Sequence, residues 1–237
     1  KISLKPSPKF IIHCAVDQKF SKKKSTKDYI NSNISILKNI INYTKGNKVK
    51  LIINLSSVDV YGDIRKKFID ENYLPQNQKT YGLTKMLSEQ ALYSQTTNFI
   101  NIRLPGVLCE PLQKKFNRPW LNNVFNQMKK NKNIFVYNAK GKFNNVIDTD
   151  EIVKFIDFLI KKDITIRDTF NFVSLKPIIL KDIFNIAKKK LNSKSKFIEI
   201  KDYEKSSFYI STKKLEQDLQ YKTQSTKNIV VKYLDKL

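Results

Sequence analysis

Two short stretches carry groups that could do chemistry together. NLSSVDVYGD (54–63) sets a pair of serines, Ser56 and Ser57, at the end of an apolar run, and KTYGLTK (79–85) sets Tyr81 four positions before Lys85. Positions four apart share one helical face, so on a helix the Tyr81 phenol and the Lys85 ammonium approach each other. A cation within about 4–6 Å favours the phenolate and lowers a phenol by about 1–3 units from its ordinary value near 10. Tyr81 is then expected to exchange protons near neutral pH, while the Ser57 hydroxyl holds a substrate oxygen in line with it. Such a set suits proton transfer at an alcohol or ketone. That chemistry needs a hydride carrier, which side chains do not provide.

Other reactive types have plainer readings. A Tyr four before a Lys is a common helical spacing, and it gains meaning only with the Ser pair and VYG in this order. His13, the single histidine, reads as a satisfied strand residue with no chemistry. Asp59 fits either a substrate-facing carboxylate or an exposed loop residue. Trp120 and Phe125 read as core ahead of a sugar pocket, and DTDE (148–151) as the acidic start of a helix. Cys14 and Cys109 are the two cysteines; each has apolar neighbours and is expected to be a buried free thiol. A disulfide framework, a cysteine zinc site or any other metal site is not expected.

The elements that must position these groups follow from periodicity. FIIHCAV (10–16), VKLIINLSS (49–57) and FINIRLPGVL (99–108) are branched, apolar runs that fit strands buried on two faces. Between them, 29–45 and 81–95 repeat apolar positions at three and four, with Gly46 as a C-cap of the first. Strand and helix in alternation give an α/β fold, a Rossmann-like parallel sheet with helices on both faces, built by right-handed crossovers. Its chemistry belongs outside the carboxyl ends of the strands, where Ser56 and Ser57 lie. After Pro111 the expected elements are helices at 118–132, 148–162, 180–192 and 211–220 and strands at 133–138 and 169–174. They divide the chain into a partial dinucleotide-binding domain, 1–112, and a small C-terminal α/β lobe, 113–237, some of which returns to the main sheet.

With 237 residues, 41% of them apolar, the chain can bury a core. No run of 18 apolar residues occurs, and KISLKPSPKF has no signal-peptide core. The expectation is a soluble, cytoplasmic chain with no membrane partner. Net charge is +24, but arginine occurs only at 65, 103, 118 and 167, leaving 45 − 4 = 41 lysines spread along the sequence. That spread reads as a solvated surface and not as a nucleic-acid footprint, although its field would attract an anionic substrate.

LSSVDVYGD, YGLTK and IRLPGV, in that order, resemble the extended short-chain dehydrogenase/reductase family, the NAD(P)-dependent epimerases, dehydratases and reductases of nucleotide sugars. FIIHCAV resembles the family's fourth strand, and NNVIDTDEIVKFI and FNFVSLKPIILKDI resemble landmarks of its substrate lobe. The resemblance implies catalytic roles for Ser57, Tyr81 and Lys85, with Lys85 also holding a nicotinamide ribose. It implies that Ala15, Val16, Asn33, Leu55, Ser56, Pro105, Gly106 and Val107 border NAD or NADP, and that Val58, Asp59, Gly106 and Leu121 face the sugar nucleotide. It implies a homodimer through the helices at 29–45 and 81–95. Expected activity is that of an epimerase or keto-reductase; the alternative is a cofactor-free relative that binds a sugar nucleotide or a protein.

Several positions depart from the family pattern. Glycines stand only at 46, 62, 82, 106 and 141, too far apart for the glycine-rich turn that cradles a pyrophosphate. Three strands and two helices, about 60 residues, are therefore expected ahead of the given sequence. Val58 with Asp59 replaces the acidic pair of the dehydratases, which disfavours dehydration. GKFNNVID lacks a sugar-diphosphate arginine, for which Lys140 or Lys142 would substitute as point charges.

Overall fold

A computed structural model of the chain describes residues 6–17, 25–109, 120–200 and 208–237. In order, they form β1 (Phe10–His13), α1 (Thr26–Lys45), β2 (Leu51–Ser57), a 3-10 turn (Val58–Tyr61), β3 (Phe68–Ile69), α2 (Thr80–Tyr93), β4 (Phe99–Leu104) and β5 (Gly106–Leu108). There follow α3 (Trp120–Lys129), β6 (Ile134–Tyr137), β7 (Lys142–Phe143), β8 (Val146–Asp148), α4 (Thr149–Lys161) and β9 (Arg167–Asn171). Last come β10 (Ile178–Ile179), α5 (Leu180–Lys190), β11 (Phe197–Ile200), β12 (Tyr209–Ile210), α6 (Lys213–Asp218) and α7 (Thr226–Leu234).

The chain divides into two compact units. The first comprises Lys1–Asp63, Leu74–Leu104 and Ile156–Phe170; the second comprises Ile64–Tyr73, Pro105–Phe155 and Asn171–Leu237. The units interleave along the chain: Ile64–Tyr73 belongs to the second and Ile156–Phe170 to the first.

The first unit is an α/β layer with a sheet ordered β1-β2-β4-β9, flanked by helices. β1 pairs in parallel with β2 (Phe10↔Leu51 to His13↔Asn54), and β2 in parallel with β4 (Ile52↔Phe99 to Ser57↔Leu104). Ser25 caps α1 by accepting from Asp28 N–H at 3.1 Å, which satisfies one of the free donors of the first turn. Leu37 and Ile41 of α1 and Leu92 of α2 pack with Ile52 and Phe99 of the sheet. Each such side chain, fully buried, contributes about 1.5–3 kcal/mol. Strand alternation then places Asn54, Asn101, Ser56 and Arg103 farther along the same face. There the Asn54 amide donates to Asn101 Oδ1 at 2.8 Å and the Asn101 amide to Thr169 Oγ1 at 2.9 Å, while Asn54 Oδ1 stays buried with no hydrogen-bonding partner among the described residues.

One expected strand is two. Pro105 has no N–H for a ladder, so β4 ends at Leu104, and β5 pairs with β8 of the second unit (Gly106↔Val146). β1 ends at His13 and not at 16, because its partner register ends at Asn54.

The second unit carries small two-stranded sheets, β5 with β8, β6 with β11, β7 with β10 and β3 with β12. Phe155 and Phe172 stack at 4.6 Å in its core, and Phe125 and Phe184 are buried as well. Asp148 accepts from Glu151 N–H at 2.7 Å, which makes DTDE the helix start its acidity implied. α7 has no counterpart in the sequence reading. Ile229, Val230 and Val231 lower its helix propensity, yet Thr226, Ile229, Val230, Tyr233 and Leu234 are buried at helical spacing. Among the described residues no helix is long and apolar enough to cross a membrane, and no group of three or more His, Cys, Asp or Glu could hold a metal ion.

Candidate active site

The first unit brings Ser57, Tyr81 and Lys85 together at the carboxyl end of β2. Ser57 ends the strand, and its hydroxyl accepts from Asp59 N–H at 3.1 Å, which starts the 3-10 turn. The turn is followed by Gly62 at φ 65°, where a Cβ would collide with the Gln76 carbonyl. That close passage lets the segment before α2 run back alongside the turn. α2 then starts against the turn itself. Gly82 leaves room for the Asp59 carbonyl oxygen, which a Cβ there would strike. Tyr81 therefore stands beside Asp59 and Ser57.

Tyr81 and Lys85 share one face, with Lys85 Nζ 5.9 Å from the Tyr81 ring centroid. The electrostatics differ from the expectation that Lys85 makes the phenol acidic. Tyr81 is pushed up to about 12, first by burial, then by the Asp59 carboxylate and Tyr29; the hydrogen bond with Ser57 pulls the other way. The Lys85 ammonium itself donates to the Leu55 carbonyl at 2.8 Å. Burial also lowers Lys85 itself, against the charge of Glu89. Asp59, though exposed at its surface, is raised by desolvation against the pull of Lys79 and Ser57. Resting Tyr81 is thus a neutral phenol beside Ser57.

A narrow crevice beside these groups is lined by His13, Ala15, Val16, Asn33, Tyr81 and Lys85, among others. Asn33 pins the chain after β1: its Oδ1 accepts from Asp17 N–H at 2.8 Å and its amide donates to Asp17 O at 3.1 Å and Tyr29 O at 2.9 Å. Ser56 points away from the crevice, its hydroxyl donating to Glu89 at 2.5 Å. Val58 is buried in the turn and offers no polar group. Pro105, Gly106, Val107 and Leu121 belong to the second unit, where Leu121 is buried within α3.

Sequence reasoning missed three features. His13 is 5% exposed, and its Nδ1 has no hydrogen-bonding partner among the described residues. Burial and then Lys85 lower it to about 4, so it lines the crevice as a neutral imidazole. Glu89 and Arg103 form a buried ion pair; the one available signal was the spacing of four from Lys85 to Glu89. Third, Trp120 is 44% exposed while Phe125 is fully buried. Trp120, Phe135, Tyr137, Phe143 and Phe184 line a cavity of about 460 Å³ in the second unit. Lys67, Lys140 and Lys142 line a basin that shares Asn138, Gly141 and Lys142 with it. Cys14 and Cys109 are free but exposed, correcting the expectation of buried thiols; each follows the end of its strand, where packing has ceased.

The donor set fits the nicotinamide ribose half of a dinucleotide. Lys85 retains ammonium protons beyond the one given to Leu55, and His13, whose Nδ1 is buried without a hydrogen-bonding partner among the described residues, lines the same crevice. For the pyrophosphate, no closely spaced glycines occur in these 237 residues.

Solved structures share this fold. UDP-N-acetylglucosamine 4-epimerase from Bacillus cereus matches with a TM-score of 0.73 at 17% identity, covering 95% of this chain and 78% of that one. UDP-glucuronic acid 4-epimerase from Bacillus cereus, in complex with NAD, matches at 0.75 and 18%, covering 96% and 74%. RMD from Pseudomonas aeruginosa, complexed with NADPH, matches at 0.74 and 14%, covering 98% and 82%. No curated protein matches the chain. The model of the NAD dependent epimerase/dehydratase family matches residues 2–172, most of the sequence. The chain belongs to the NAD dependent epimerase/dehydratase family.

Proposed function

We propose that this chain acts as an NAD(P)-dependent epimerase or keto-reductase on a nucleotide-linked sugar. The observation that carries the reading is the convergence of Ser57, Tyr81 and Lys85 at the carboxyl end of β2, with Lys85 Nζ 5.9 Å from the Tyr81 ring centroid. When bound, NAD(P) supplies the hydride acceptor or donor, and its oxidised form brings a positive charge that favours the phenolate. In the reductive direction Tyr81 gives its proton to the carbonyl oxygen of the sugar; in the oxidative direction its phenolate takes the hydroxyl proton. Ser57 would orient that oxygen, and Lys85, anchored to β2 through Leu55 O, would hold the ribose hydroxyls.

The substrate class is supported by the second unit. Aromatic walls around a cavity of about 460 Å³ suit a stacked nucleobase, and the basin with Lys67, Lys140 and Lys142 suits its phosphates. UDP-sugar epimerases among the structural neighbours agree with such a ligand. We place the protein in the cytoplasm as a homodimer through α1 and α2, where Leu87 and Tyr93 are exposed on the second helix.

The test has two arms. NAD or NADP should raise the thermal midpoint by mass action. Tyr81→Phe should keep that rise while turnover of UDP-sugars falls by about 10²–10⁴-fold. Retained turnover in Tyr81→Phe overturns the assignment; no midpoint rise with either nucleotide favours a cofactor-free binding module.

A further inference from the structure

Behind the reactive groups lies a buried charged cluster with no assigned role. Glu89 is 1% exposed, and its Oε1 accepts from Ser56 Oγ at 2.5 Å and from Arg103 Nε at 3.1 Å. Its Oε2 accepts from Arg103 Nη2 at 2.7 Å, closing a bidentate pair. The Arg103 guanidinium lies over the Tyr61 ring, 4.8 Å from its centroid. Four pieces of the first unit meet here: the end of β2 at Ser56, the end of β4 at Arg103 in register with it, the 3-10 turn at Tyr61, and α2 at Glu89. A buried ion pair stabilises a fold no better than well-packed apolar side chains of similar volume. Its position is what distinguishes it. Tyr81, Lys85 and Glu89 follow at intervals of four along one stripe of α2, and Ser56 precedes Ser57.

We propose that Glu89 is a positioning residue for the active site: it locks the stripe carrying Tyr81 and Lys85 to the end of β2 and supplies the buried negative charge that faces the Lys85 ammonium. The inference rests on the reading of Lys85 as an active-site group. The groups near Lys85 are Glu89 and the Tyr81 ring on α2, His13 at the end of β1 and Cys14 just after it, and the Leu55 carbonyl on β2. Glu89 is the carboxylate of that set, and His13 stays neutral above about pH 4.

The experiment is competitive acylation of the full chain with acetic anhydride across a pH series, without substrate or nucleotide. Peptide mass spectrometry reads the Lys85 labelling midpoint separately from every other lysine. In Glu89→Gln that midpoint moves to lower pH, and each unit of movement appears as about tenfold faster labelling at a fixed pH below it. Glu89→Gln leaves Arg103 buried without its partner, so Glu89→Gln with Arg103→Gln is measured alongside as a charge-neutral pair, with circular dichroism checking that each variant is folded. Its midpoint should move in the same direction. A Lys85 midpoint equal to that of the wild type in the neutral pair overturns the proposal and leaves Glu89 a packing residue. Because the readout needs no catalysis, an inactive wild-type protein would sink the proposed function without touching this result.

Discussion

At the residue scale, Tyr81 shows how spacing can place two groups correctly and misjudge their coupling. The phenol and ammonium do share a face, but the carbonyl of Leu55 engages the ammonium and the nearby carboxylate is Asp59. A negative charge disfavours a second one, so Asp59 raises the phenol. Asp59→Asn should therefore move Tyr81 ionisation down from about 12, and the phenolate-dependent limb of the pH–rate profile should move to lower pH with it. An unchanged ultraviolet titration of tyrosinate in the variant would contradict this account. Ser57 and Tyr81 were legible from VYG and the spacing of four; Asp59 was visible as a residue but not as a neighbour, because only the 3-10 turn folds it back onto α2.

At the element scale, α2 is located by a missing side chain. Gly82 has the Asp59 carbonyl oxygen in the space a Cβ would occupy, so the helix and the 3-10 turn are in backbone contact. Gly82→Ala would raise intrinsic helix propensity, yet overpacking at this contact should cost about 1–3 kcal/mol and displace Tyr81 from Ser57. Denaturant unfolding would show the loss, and turnover would fall more than stability alone explains. A stabilised, fully active variant would mean that α2 is free to shift. The same scale explains the split of FINIRLPGVL. Branched and apolar residues run through it without interruption, but Pro105 withdraws a donor and the two halves find different partners in β2 and β8.

At the scale of the whole molecule, the single histidine becomes a probe of stability. Folded His13 accepts its proton only near pH 4, whereas an unfolded imidazole takes it up near 6.5. Between those values the unfolded state binds more protons, so stability falls as the pH drops through the window. Above 6.5 both states are neutral and the effect is absent. The thermal midpoint should decline from pH 6.5 towards 4, and His13→Gln should flatten the upper part of that decline, above the carboxylate range. An imidazole titrating near 6.5 in the folded protein, read by proton NMR, would refute the buried placement.

The sequence by itself determined the alternation of strand and helix, the parallel pairing that goes with it, and the shared face of Tyr81 and Lys85. These depend on local periodicity and on spacing within one element, which a linear reading preserves. Only the tertiary structure decided that Trp120 lines a cavity while Phe125 fills a core, that Ile64–Tyr73 leaves the first unit, and that Ser56, Glu89 and Arg103 form one cluster. Those outcomes depend on which distant segment arrives opposite a given side chain. Strand-face alternation separates Ser56 from Ser57 across a single peptide bond, and the partners that bury a carboxylate at 89 come from residues 56 and 103.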